Sequence, residues 1–145
     1  MRVYLPLDTT EFDLTSPATH LHLPAGRALW CVTAAARAAD PADEEDLEYD
    51  AMQDAVHVAL TGTDADARAI IVAGDVPDDR LEDGTESDGR FGARLRTDAD
   101  LRIASFHVTE LDAAGAAASD TDPALLWFDA LEGAAALDYS AKRSQ

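Results

Sequence analysis

The chain has 145 residues, with 29 Asp and Glu against 11 Lys and Arg, a formal net charge of −18 at pH 7 and a pI near 4.2. That balance excludes nucleic-acid backbones and anionic membrane surfaces as partners, because affinity for both is supplied by clustered Lys and Arg. One cysteine, Cys31, excludes an intramolecular disulfide, and no apolar run approaches the roughly 20 residues of a membrane-spanning helix.

A chain of this length suits one core. The expected organisation is a single α+β domain over residues 1–138 with a flexible tail over residues 139–145. The start of the chain carries no leader-like apolar run, and Asp8, Glu11 and Asp13 follow close behind it, so a cytoplasmic location is expected.

Arg2–Leu7 alternates, with Val3 and Leu5 against Arg2 and Tyr4, and predicts a first strand ending at Pro6. Residues 9–26 hold Phe12, Leu14, Leu21 and Leu23 at no sustained period between Pro17 and Pro24, and are expected to be a long connection. Leu29–Thr33 reads as a central strand, and a helix could begin over Ala34–Ala39. Asp40-Pro41 is a helix start, the acids Asp43, Glu44, Glu45 and Asp46 suit the positive end of a helix dipole, and apolar residues from Leu47 to Leu60 recur at threes and fours until Gly62.

Ala69–Gly74 predicts a buried strand, Asp78–Gly89 an acidic loop, and Arg90–Arg96 and Arg102–Glu110 two strands at hairpin spacing, with Phe91, Ala93 and Leu95 inward. Ala113–Ser119 reads as a small-residue linker. Asp122-Pro123 repeats the capped start and predicts a final helix through Leu125, Leu131 and Leu137. The pattern as a whole predicts a two-layer α+β fold. Its mixed sheet has four to five strands, with Met52, Val56, Ala59 and Leu60 of one main helix and Leu131 and Ala135 of the other packed on one face.

No phosphate loop is present. Gly84, Gly89 and Gly92 are spaced in an acidic loop that leads into a strand, whereas a phosphate cradle opens a helix. His20 and His22 would share one side of an extended segment and are candidate metal ligands. Asp75 follows a buried strand and is the candidate catalytic or metal carboxylate, with Asp78 and Asp79 as possible Mg²⁺ partners through water; a turn before Pro77 is the plain alternative. His107 and Glu110 would complete a hydrolase site with Asp75, although a spacing of three puts them on opposite strand faces. Cys31, Trp30, Trp127 and Phe128 are expected in the core. No cofactor is implied.

Several segments together carry a resemblance: MRVYLP (Met1–Pro6), the strand end at Val32-Thr33, EEDLEY (Glu44–Tyr49) followed by Ala51 and Asp54-Ala55, IIVAGDVPD (Ile70–Asp78), HVTE (His107–Glu110) and LLWFD (Leu125–Asp129). They resemble a family of small acidic actinobacterial proteins of unknown function. The resemblance implies an actinobacterial cytoplasmic protein and brings no activity, cofactor or catalytic residue with it.

The functional expectation is a small acidic interaction or regulatory module without catalysis of its own, its partner a basic protein. The alternatives are a metal-dependent hydrolase built around Asp75 and an acidic nucleic-acid mimic that fills a basic protein's groove.

Overall fold

The computed structural model describes residues 1–7, 19–39 and 43–142. Period two along Arg2–Pro6 (β1) sends Val3 and Leu5 to one side of a sheet and Tyr4 to the other. The same alternation recurs in His20–Leu23 (β2), Ala28–Trp30 (β3), Ile70–Asp75 (β4), Leu81–Asp83 (β5), Gly92–Leu95 (β6), Ala99–Thr109 (β7) and Leu125–Asp129 (β8). These form one open sheet in the order β2-β7-β4-β1-β3-β6-β5, with β8 on the second half of β7 beside β2 on its first. Every pairing is antiparallel. The fold is therefore α+β, but among the described residues the sheet has eight strands and is not mixed.

β6 and β7 are not a hairpin. Arg96–Asp98 is the whole link between them, although β4, β1 and β3 lie between them in the sheet. Four strand spacings would separate them by about 19 Å in a flat sheet, and the link from Leu95 to Ala99 reaches at most about 14 Å. The sheet must curl. Inside the curl lies one apolar cluster that includes Val3, Leu5, Leu23, Leu29, Val72, Leu95, Leu101 and Phe106.

The helices do not share a face. Glu44–Thr61 (α2) covers the outer face, where Leu47, Ala51, Ala55, Val56 and Ala59 meet Tyr4, Trp30, Ile71, Ala73 and Phe91. Gly133–Ala141 (α4) packs Ala136 and Leu137 against the other cluster. Both faces of the central strands are apolar, so each face needs a cover, and one helix serves each. Ala34–Ala39 (α1) adds Ala36 to the α2 side. Ala113–Ala118 (α3), expected as a linker, is a helix because the Asp112 carboxylate accepts the Gly115 amide at 2.7 Å.

The expected final helix is replaced by a strand over its first half. Leu125–Asp129 pairs with Ser105–Thr109 of β7, and the helical chain begins only at Asp129, whose carboxylate accepts the Leu131 amide at 2.9 Å. Glu132 returns a bond to the Asp129 amide at 3.1 Å, so the capping box sits here and not at Asp122. Leu131 is consequently 74% exposed and Ala135 is exposed, whereas Val56 and Ala59 are buried, with Met52 and Leu60 partly so. α4 continues past Tyr139 to Ala141, with Ser140 buried.

α2 starts after Asp43 and stops at Gly62, as its periodicity requires; Asp40-Pro41 lies outside the described residues, as do Phe12, Leu14 and Pro17 of the long connection. The acidic loop contains β5 and the turn around Gly89, which needs a left-handed backbone at φ 81°. Phe91 turns to the α2 side, away from Ala93 and Leu95. Thr85 and Arg94 hold the Asp88 carboxylate, and the Asp88 carbonyl accepts the Trp30 indole at 3.1 Å.

Candidate functional site

Asp75 ends β4 directly opposite Arg2 of β1. Arg2 Nε donates to Asp75 Oδ1 at 2.9 Å and Nη2 to Oδ2 at 3.3 Å. This forked pair holds the Asp75 carboxyl below the usual carboxylate range. Both oxygens are thereby engaged, and Arg102 faces Asp75 from β7 in register. Asp78 sits 2.9 Å from the amino group of Met1, and Asp79 lies 4.0 Å from Arg80.

β2 presents His20 and His22 on one exposed side and buries Leu21 and Leu23 on the other. The imidazoles go different ways: His20 Nδ1 meets Thr19 Oγ1 at 2.9 Å, and His22 Nδ1 meets Asp100 Oδ1 at 2.9 Å. Glu110 follows β7, exposed, with its backbone carbonyl accepting from Arg68. Among the described residues, no group of three or more His, Cys, Asp and Glu is placed to hold a metal ion. Cys31 is buried, and burial pushes its thiol up to about 11, well away from a reactive thiolate.

Two sequence candidates line concavities: His22, in one of about 290 Å³ with Pro77, Arg80, Asp98 and Asp100, and His107. A register slip between Ala73 and Gly74 opposite Ser105 and Ile103 shifts the parity of β7, so that Phe106 and Val108 stay inside the curl and His107 faces α2. Its ring bonds Ser105 through Nε2 and Oγ at 2.9 Å. Burial first, and the Arg2 charge second, lower its pKa below the ordinary value, so the imidazole is neutral near pH 7.

Beside it, a cleft of about 320 Å³ opens between α2 and the outer half of β7, lined by Tyr49, Met52, Gln53, His107, Asp122 and Leu125 among others. Tyr49 donates to Asp122 Oδ2 at 3.3 Å, and Gln53 Nε2 reaches the Pro123 carbonyl at 3.4 Å. Gln53 is only 6% exposed, yet among the described residues its Oε1 has no hydrogen-bond partner. A larger concavity of about 660 Å³ lies near Arg27 and Arg68. There, Arg27 donates to the Pro6 carbonyl and Arg68 to the carbonyls of Glu110 and Lys142.

The chain belongs to a family of unknown function. The match to this family, DUF6912, runs over residues 1–137. No curated protein and no solved structure matches the chain. For this DUF6912 chain, any function must therefore be argued from its own surface.

On that surface Trp127 departs from its expected core position. It lies opposite His107 in the β7–β8 register and is 64% exposed, while Phe128, its neighbour, packs against the inner cluster. A strand between two apolar clusters places alternate residues differently, and only the pairing to β7 says which alternate is outside. Gln53 has a detectable signal in sequence, since it sits among the buried positions Leu47, Ala51, Ala55, Val56 and Ala59 of α2. No helix among the described residues is long and apolar enough to cross a membrane.

Proposed function

We propose that this protein is a small acidic interaction module, without catalysis of its own, that docks a basic protein segment on the strip formed by β7, β8 and the flank of α2. The observation that carries the reading is Trp127, 64% exposed on a five-residue strand with only β7 as its sheet partner among the described residues. A large aromatic side chain left in water contributes nothing to the core, whereas tryptophan and tyrosine are the commonest anchors of protein interfaces. Tyr49, 45% exposed, stands across the cleft on α2. Carboxylates surround both: Glu48 and Asp50 flank Tyr49 in sequence, Asp122 holds its hydroxyl, and Asp129 ends β8.

Charge complementarity selects the partner. A net charge of −18 raises the rate of encounter with a basic segment and disfavours acidic ones. The hydrolase alternative requires Asp75 free to hold a metal, and the fork with Arg2 argues against it.

A fluorescein-labelled nine-residue peptide of alternating lysine and leucine tests the reading by anisotropy. Binding that weakens with added salt and falls at least tenfold in Trp127→Ala supports it. Equal binding to wild type and Trp127→Ala would leave only bulk charge attraction and overturn the docking face.

A further inference from the structure

We propose that the far edge of β8 takes its basic partner by strand addition: an extended segment pairs with the backbone of Leu125 and Trp127 and becomes the next strand of the sheet. The inference rests on the docking reading and adds to it the conformation of the ligand and the atoms that hold it. Its basis is the hydrogen-bond parity of β8. The Glu110 amide donates to the Ala124 carbonyl, whereas the Thr109 amide turns the other way, to the Ala69 carbonyl beside β4. Bonded pairs alternate with non-bonded ones along an antiparallel ladder, so Val108–Leu126 and Phe106–Phe128 are the bonded pairs between β7 and β8. The N–H and C=O groups of Leu125 and Trp127 therefore point away from β7, and no strand among the described residues pairs with that side of β8. The Asp129 amide points the same way but is taken by Glu132 at 3.1 Å, so the open stretch ends there.

A row of unpaired backbone groups on an apolar strand is a template for another chain, and proteins blunt such edges with short strands and charges. At the far end of the sheet β5 follows that rule, with three residues of which Glu82 and Asp83 are exposed. β8 does not follow it. Leu125–Phe128 carries neither charge nor proline, and the Trp127 side chain stands in water beside the open groups. In strand addition the main chain supplies affinity and alternate side chains supply choice, so an added strand would lay one side chain directly beside the Trp127 indole. Charge selects the occupant. Between Arg102 and Lys142 the chain holds seven Asp and Glu and no Lys or Arg, and this stretch supplies β8, α3, α4 and the second half of β7. The surroundings of the edge therefore repel a second copy of this acidic chain and attract a basic segment.

Amide hydrogen exchange of the protein, followed by NMR with and without the lysine–leucine peptide, separates this inference from the docking reading, which anisotropy tests. In the free protein the Leu126 and Phe128 amides are expected to exchange slowly and those of Leu125 and Trp127 fast. Saturating peptide is expected to slow Leu125 and Trp127 by about tenfold or more. Peptide that binds by anisotropy while these two amides keep their free rates overturns strand addition and leaves the docking face standing. Slow exchange of the two amides in the free protein overturns the open edge, and slowing that grows with protein concentration assigns the edge to a second copy instead. Absence of peptide binding overturns both readings.

Discussion

Arg2 and Asp75 meet across the β1–β4 register as a forked ion pair, at 2.9 and 3.3 Å, and this turns the strongest catalytic candidate in the sequence into a strand-end clasp. The side chains are 41% and 43% exposed, so solvent screens the pair and its contribution is about 0.5–1 kcal/mol. Because the folded carboxyl lies below its usual range, that contribution is complete above the unfolded value near 4 and is lost as the pH falls through the folded value. Asp75→Asn should therefore be less stable than wild type by about 1 kcal/mol or less at neutral pH and equal to it in strong acid, measured by urea unfolding. Wild type and variant should respond alike to Mg²⁺, Mn²⁺ and Zn²⁺ in melting curves. A stoichiometric stabilisation at micromolar metal in wild type alone would restore the hydrolase reading.

The melting temperature should rise with salt. With 29 acids and 11 bases, self-repulsion outweighs the pairs that Arg37, Arg90 and Arg94 make with Glu44, Asp50 and Asp88. Shortening the Debye length from about 14 Å at 0.05 M to about 3 Å at 1 M KCl screens that repulsion. A flat or falling melting temperature across this range would mean that local pairing already compensates the acids.

Gly74 admits no side chain. A Cβ there would lie 2.4 Å from Leu101 Cδ2 and 2.5 Å from the Arg102 carbonyl oxygen, at the slip in the β4–β7 register. The carbonyl is ladder backbone and cannot move without breaking the sheet, so Gly74→Ala should destabilise by about 2–3 kcal/mol or fail to fold. At Gly26 the Cβ would meet open space and only the positive φ of 85° opposes it, so Gly26→Ala should be milder, at about 1 kcal/mol. Equal losses in chemical denaturation would contradict the close approach at Gly74.

His107 should make stability depend on pH. Its folded pKa is lowered by burial and then by the Arg2 charge, so the unfolded chain takes up a proton near pH 6.5 that the folded protein refuses. The unfolded state then binds more protons, and stability falls as the pH drops below about 6.5. Replacing the ring by His107→Gln should remove this part of the slope between about pH 7.5 and about pH 5.5. Identical slopes for wild type and variant in urea titrations would show that the ring titrates normally.

Local signals in the sequence were sufficient for several elements. The three-and-four spacing from Leu47 to Leu60, with acids before it and Gly62 after it, determined α2 because helix period and capping are properties of neighbours along the chain. Alternation determined β1 and a continuous apolar run determined β4, whereas His20–Leu23, expected within a long connection, is a strand through its pairing with β7. The α+β class followed from the same periods. Charge, read from composition, is what the proposal of a basic partner rests on.

Tertiary structure decided what depends on pairing between distant segments. Asp122-Pro123 and the apolar run after it satisfy the helix rules as well as Asp129 and Glu132 do, and the free edge of β7 selects the strand, since five backbone pairs outweigh an equivalent local propensity. That choice exposes Trp127, half-buries Phe128 and opens the cleft at Gln53 and His107. The bulge that turns His107 toward α2, the fork that occupies Asp75 and the curl that lets three residues join β6 to β7 have the same origin. Hydrophobic period states that a residue has an inside and an outside, while only the partner strand and the covering helix state which side is which.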